Sequence, residues 1–201
     1  MPPTFKPLAF VSLTVAAVLV AGAPAVQAED GAPTGAQLFE TCRGCHGIPG
    51  YKNNYPTYKV PMLGGQSEQY IVDALTAYRN GARAHETMQA QAHALSPEDM
   101  QRIAAYLSAA TEISAEASGD APAASATCTA CHGTNGKAIA PNFPSLAGQH
   151  ADYIEHSLKA YRSGTRKNAI MSGFAAALDD QTIAALAEYY SSQDGLVTVE
   201  N

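Results

Sequence analysis

The sequence predicts an all-α protein built from two tandem copies of one small helical domain. Three observations lead there: the chain repeats itself at a fixed offset, its apolar residues follow a helical period between capping residues, and alternating strand patterns are absent. An offset of 83 residues aligns residues 61–107 with 144–190 without a gap, and 18 of those 47 positions are identical. Leu63/Leu146, Gly65-Gln66/Gly148-Gln149, Tyr70-Ile71/Tyr153-Ile154, Tyr78-Arg79/Tyr161-Arg162, Gly81/Gly164, Arg83/Arg166, Met88/Met171, Leu95/Leu178 and Tyr106/Tyr189 are among them.

The chain begins with a segment that does not join this repeat. Lys6 precedes a weakly polar-to-apolar run over residues 8–23, and Val26-Gln27-Ala28 forms a small-residue cleavage pattern ahead of Glu29-Asp30. Residues 1–28 therefore read as a secretory signal peptide, too short in its apolar run for the roughly 20 residues of a spanning helix. A first domain is expected over 29–113, a linker over 114–125 and a second domain over 126–201.

Within the first domain, Ser67 precedes an apolar pattern at Tyr70, Ile71, Ala74, Leu75 and Tyr78, and Gly81 ends it. Ser96-Pro97-Glu98-Asp99 supplies an N-cap, a proline at the first helical position and an acidic first turn leading to Ile103, Tyr106 and Leu107. The second copy repeats the first pattern at Tyr153, Ile154, Leu158 and Tyr161 before Gly164, and Asp179-Asp180 opens its last helix toward Ile183, Leu186 and Tyr190. Residues 47–60, rich in Tyr, Asn and Pro, read as a loop, and the Ala/Ser/Gly-rich stretch 114–125 reads as the linker. Each copy is about 80 residues, small for an independent apolar core.

The four cysteines suggest what fills that core. They stand as Cys42-Arg43-Gly44-Cys45-His46 and Cys128-Thr129-Ala130-Cys131-His132, the C-x-x-C-H signature of c-type haem attachment, twice. Two thiols three positions apart on a helical turn add to the two vinyl groups of a haem, and the adjacent imidazole is carried under the iron as its proximal ligand. Two disulfides, a Cys₄ zinc site or a thioredoxin-like redox pair are the competing readings. The first two leave the matched histidines unexplained, and the third needs a βαβ context that the sequence lacks.

A second axial ligand can be sought with the repeat. Of the methionines after the leader, Met62 faces Ser145 and Met100 faces Ile183, whereas Met88 and Met171 face each other, each seven residues after the matched glycine. They are the expected distal ligands, with Met62 and Met100 as core fillers. No histidine outside the motifs is matched: His85 faces Asn168, His93 faces Ala176, and His150 and His156 face Ser67 and Asp73, so these are expected at the surface. Pro141 is expected to offer its carbonyl to the His132 ring, with Pro56 as the nearest equivalent in the first copy. The Tyr-Arg-x-Gly-x-Arg segments, with Arg79, Arg83, Arg162 and Arg166, would hold haem propionates, the domain interface or simply a helix end. His/Met ligation closes the iron and suits one-electron transfer instead of peroxide chemistry.

The formal net charge is −6, and no basic cluster is denser than residues 162–167, so nucleic acid is a poor partner. An acidic exported protein suits a partner with a complementary basic patch.

Two C-x-x-C-H motifs, the Leu63-Gly64-Gly65-Gln66 and Leu146-Ala147-Gly148-Gln149 segments, the Tyr-Arg-x-Gly-x-Arg motif and its trailing methionine resemble the dihaem cytochrome c4 family over the chain that follows the leader. The first copy departs in its 47–60 loop. The resemblance implies two class I cytochrome c domains related by a pseudo-twofold, each a few helices packed round a covalent haem, exported to the bacterial periplasm. It implies electron delivery from a quinol-oxidising complex or a dehydrogenase to a terminal haem-copper oxidase, in some members with peripheral membrane association. Two other classes stay open: the cytochrome subunit of a larger oxidoreductase, such as a flavocytochrome c sulfide dehydrogenase, and a dihaem peroxidase, against which the matched methionines argue.

Overall fold

In a computed structural model, residues 31–52, 58–114 and 116–200 are described, together with Met1. The expected leader and Pro56 lie outside the described residues. From Pro33 onward the chain is one compact unit. Its helices are α1 (Gly35–His46), α2 (Glu68–Arg79), α3 (Glu86–His93), α4 (Pro97–Ser108), α5 (Thr129–His132), α6 (Ala151–Ser163), α7 (Ala169–Ala176) and α8 (Asp180–Ser191), with a 3-10 turn at Ala123–Thr127. Only isolated bridges, and no strand, occur among the described residues. None of these helices is long and apolar enough to cross a membrane.

Helix α1 starts at a capping box, in which Thr34 accepts the Gln37 N–H and Gln37 accepts the Thr34 N–H. Its Phe39 meets Ile71 of α2 and Ile103, Ala104 and Leu107 of α4 in the first core. Gly35 lets α1 and α4 cross closely, since a Cβ there would lie 2.1 Å from the Arg102 carbonyl oxygen. Helix α4 begins as the sequence predicts, with a Ser96/Asp99 capping box and Pro97 in the first turn. Helix α2 then packs on both α3 and α4.

The second half repeats the plan, with α6 against α7 and α8. Its core is Ile154, Leu186, Ala187, Tyr189 and Tyr190, most of them the repeat partners of first-half core residues. The counterpart of α1 is broken into the 3-10 turn and the four-residue α5. Where α1 buries Phe39, the cysteine-matched position is the small Ser125, and the missing aromatic bulk comes from Tyr190 of α8, which stands where α4 has Leu107. Large and small have exchanged helices, so the core stays filled.

The segment that trails each half crosses to the other. After α4, Ile113 joins Leu196, Ala147 and Met62 in a small central cluster. The Ser114 carbonyl then accepts from Asn135 Nδ2 of the second half (2.7 Å), and Ser118 exchanges two hydrogen bonds with Gln193. After α8, Leu196 N–H donates to the Ala147 carbonyl at 2.8 Å, and Val197 pairs with Gly64 of the first half through two backbone bonds of 3.0 and 3.1 Å. Gly195 admits this crossing, because a Cβ there would sit 2.2 Å from the Ala147 oxygen. Arg43 of α1 donates to the Glu200 carbonyl at 2.9 Å.

Ending the chain at Asp194 removes the buried Leu196 and the Val197 pair. A loss of about 3 kcal/mol is expected from one buried leucine and a few backbone bonds. Calorimetry should show a lower melting temperature, and a truncated protein that melts like the full chain would contradict the crossed-tail packing.

Candidate haem-binding sites

Cys42, Cys45 and His46 lie on the last turns of α1, and Cys128, Cys131 and His132 span the end of the 3-10 turn and α5. All four sulfurs are half-buried free thiols. Among the described residues no three His, Cys, Asp or Glu side chains converge as a metal cluster, so the two C-x-x-C pairs do not assemble one zinc site. Burial pushes the Cys42 and Cys128 thiols up, keeping them neutral.

The two histidines share one arrangement. His46 Nδ1 is 2.9 Å from the Pro61 carbonyl oxygen, and His132 Nδ1 is 2.8 Å from that of Pro144. A carbonyl only accepts, so Nδ1 carries the proton and donates. Burial pulls both imidazoles below their ordinary range, against the opposing pull of those carbonyls. Each ring is therefore neutral with the Nε2 lone pair free, the form a metal binds.

This corrects the expected acceptor. Pro141 does not receive the His132 ring; its carbonyl accepts the Ser67 hydroxyl of the other half. Pro141 stands nine residues after His132, but the loop folds so that Pro144 comes beneath the ring. The missed signal was in the repeat, since Pro61 and Pro144 are an identical pair under the 83-residue offset.

One continuous, largely apolar cavity runs through both halves. His46 and Met88 line it from the first half, His132 and Met171 from the second, with walls from Ile71, Leu75 and Tyr78 and their counterparts Ile154, Leu158 and Tyr161. Met88 and Met171 sit at the third position of α3 and α7, where their backbone N–H groups donate to capping side chains, His85 Nδ1 (3.2 Å) and Asn168 Oδ1 (3.0 Å). His85 is thus no idle surface residue: it does for α3 what Asn168 does for α7. Met100 is fully buried with its sulfur 3.7 Å from Arg79 Nη2, outside the cavity lining. Met62 does line the cavity, but it packs on the central cluster of Ile113, Ala147 and Leu196 and directly follows Pro61, whose carbonyl accepts from the His46 ring.

The Tyr-Arg-x-Gly-x-Arg segments divide their arginines between two tasks. Arg79 and Arg162 tie the ends of α2 and α6 to backbone carbonyls, Arg79 to Ala92 at the end of α3 and to Leu95, and Arg162 to Leu178. Arg83 and Arg166 instead meet across the interface as an antiparallel bridge. Arg83 donates to the Tyr153 hydroxyl and Arg166 to the Tyr70 hydroxyl at 2.9 Å, each reaching into the other half. Each guanidinium also stacks over a tyrosine of its own helix pair, Tyr78 at 4.4 Å and Tyr161 at 4.5 Å. Burial would raise the Tyr153 phenol, but Arg83 and Arg166 outweigh it and pull it down to about 8.

None of the ion pairs among the described residues includes Arg83 or Arg166. A buried cation without an anion is costly, so the part of the cavity that Arg83 and Arg166 line is suited to carboxylates. Apolar walls, paired thiols, free imidazole nitrogens, thioethers and two cations where the halves meet fit a haem, whose ring is apolar and whose propionates are anionic.

The described insertion residues of the first half reinforce the interface. Tyr58 stacks on His156 of α6 with centroids 4.0 Å apart, and Lys59 N–H donates to Asp152 at 3.2 Å. His156, expected at the surface, is half-buried in that contact.

The cytochrome c family profile matches residues 32–111 and again 117–194. Cytochrome c4 of Pseudomonas aeruginosa is 33% identical over 180 residues, covering 79% of this chain and 86% of that protein. A protein of Stutzerimonas stutzeri described as a thiosulfate dehydrogenase electron acceptor is 35% identical over 170 residues, covering 75% and 78%. The crystal structure of reduced cytochrome c4 from Pseudomonas stutzeri superposes with a TM-score of 0.63 at 30% identity, over 81% of this chain and 97% of that one. Thiosulfate dehydrogenase TsdBA of Marichromatium purpuratum gives 0.62 at 30% identity, over 76% of this chain and 36% of that longer one. With both halves matched by the same family and relatives that run nearly the length of the repeat, this chain belongs to the dihaem cytochrome c4 family and is an electron carrier bearing two covalent c-type haems.

Proposed function

We propose that Cys42 and Cys45 hold one haem and Cys128 and Cys131 the other through thioethers, with His46/Met88 and His132/Met171 as the axial pairs of the two irons. Each haem then belongs to one half, 29–113 and 126–201, joined by 114–125. The observation that carries the assignment is the duplicated pairing of a carbonyl-anchored, neutral histidine with a cavity-lining methionine on a capped helix. When bound, each haem supplies a one-electron iron couple whose potential is raised by a thioether ligand. The chain supplies the rest. Met88 and Met171 close the iron to small molecules, the apolar walls keep water from it, and Arg83 and Arg166 neutralise the propionates.

The function this supports is single-electron transfer in the periplasm, from a dehydrogenase or quinol-oxidising complex to a terminal haem-copper oxidase. Relatives described as electron acceptors of thiosulfate dehydrogenase favour a dehydrogenase as donor. A second reading, a fixed subunit of a larger oxidoreductase, is supported by the likeness to TsdBA, in which the matched part is about a third of a longer chain. Purification from native membranes and periplasm distinguishes them: a free carrier runs alone and is reduced by added dehydrogenase, while a subunit stays with a catalytic chain.

Mass spectrometry of the mature protein should show a start at Glu29 and the added mass of two haems; one haem, or any disulfide, contradicts the attachment. Met88→Ala and Met171→Ala should each remove about half of the weak far-red charge-transfer absorption of the oxidised protein. Each should also lower the potential of one haem and let the reduced form bind carbon monoxide. Met62→Ala should do none of these, and loss of the band in Met62→Ala with Met88→Ala unchanged would overturn the distal assignment in the first half.

A further inference from the structure

Each half holds one buried glutamine at the entrance to its long helix, Gln66 before α2 and Gln149 before α6, 4% and 5% exposed. They are identical under the repeat, and each makes its principal bonds in the half to which it does not belong. Gln149 Oε1 accepts the Met62 N–H at 3.0 Å while its Nε2 donates to the Met62 carbonyl at 2.9 Å. Gln66 Oε1 accepts the Ser145 N–H at 2.8 Å while its Nε2 donates to the Ser145 carbonyl at 3.0 Å. Each Oε1 also accepts the next backbone N–H of its own half, from Ser67 and from His150, at 3.0 Å. Donor and acceptor ends are both engaged, so neither amide is free to turn.

The peptides they grip are the ones that matter to the irons. The Met62 N–H and the Pro61 carbonyl belong to a single peptide group, and so do the Ser145 N–H and the Pro144 carbonyl. The bonds therefore join end to end: Gln149 accepts from the peptide whose oxygen accepts from His46, and Gln66 accepts from the peptide whose oxygen accepts from His132. Drawing on the N–H of a peptide polarises it and makes its oxygen a better acceptor. A stronger bond from the ring N–H fixes the imidazole's orientation and raises its basicity toward the metal.

We propose that Gln66 and Gln149 are crossed positioning residues, each setting, through one peptide group, the orientation and electron donation of the proximal histidine in the opposite half. The first haem is thus tuned by the second domain and the second haem by the first. The proposal deepens the ligand assignment above and rests on it.

The sign follows. Replacing Gln149 by Met keeps the volume but removes the pull on the Pro61–Met62 peptide. The His46 ring then donates less electron density, oxidised iron is less stabilised, and the potential of the first haem rises. In the full-length dihaem protein, Gln149→Met should shift the first haem's reduction equilibrium severalfold, up to about tenfold or 59 mV for one electron. The second haem should move less. Gln66→Met should do the reverse. Redox titration followed by the separate haem methyl resonances in NMR reads each potential, and the His46 and His132 Nδ1–H protons should exchange faster with solvent in the crossed pattern.

Ser67→Ala removes a different bond across the interface, from the Ser67 hydroxyl to the Pro141 carbonyl, and should leave the crossed pattern unproduced. A shift confined to the mutated half, equal shifts at both haems, no shift, or the same shift in Ser67→Ala would overturn the proposal. The ring-current-shifted ligand resonances of the reduced protein report the ligands separately. If they do not arise from His46 and His132, the ligand assignment fails; if they do and the potentials stay in place, the crossed tuning fails while the ligands stand.

Discussion

A neutral imidazole has one lone pair to give and one proton to place, and the two halves of this molecule are arranged around where that proton goes. It goes to the carbonyls of Pro61 and Pro144, which leaves the opposite ring nitrogen toward the cavity. For that bond to form, the loop after each C-x-x-C-H motif must return beneath the ring, and the ring must be removed from water. The first condition places the Leu-Gly-Gly-Gln and Leu-Ala-Gly-Gln segments at the domain boundary. The second requires α2 and α3, or α6, α7 and α8, to wall the cavity. Neither condition is met by α1 or α5 alone, so the helices serve the site as much as the site fills their core.

The repeat made the architecture legible from sequence. The Ser96 cap and the proline at the start of α4, and the Asp179 cap of α8, follow from side-chain chemistry that acts within a few residues. The haem motifs were equally plain, because attachment needs thiols and imidazole within one turn. What escaped were features that exist only when distant segments meet. The capping role of His85 was hidden because its counterpart is Asn168, a different residue that offers the same kind of acceptor. The choice of Pro144 over Pro141 depended on the path of a loop, and how the halves pack decided which of the arginines, all left open between propionates, interface and helix end, reach the opposite half.

The halves are alike in plan and unlike in detail, and the differences compensate locally. Phe39 with Leu107 becomes Ser125 with Tyr190, so an unbroken helix can become a 3-10 turn and a short α5 while the motif stays against the core. The insertion of the first half, through Tyr58 and Lys59, lies on α6 and has no equal in the second half. The cavity therefore joins two related but inequivalent environments.

The crossing of the trailing segments bears on the order in which the molecule can be made. A chain is synthesised from its N-terminus, so α1 through α4 exist long before Val197 does. Until the final residues arrive, the backbone of Gly64 lacks its Val197 partners and the Glu200 carbonyl is not there to receive Arg43. The earlier half is thus finished last. The segment that closes it begins two residues beyond Gly195, the glycine whose bare backbone passes against Ala147.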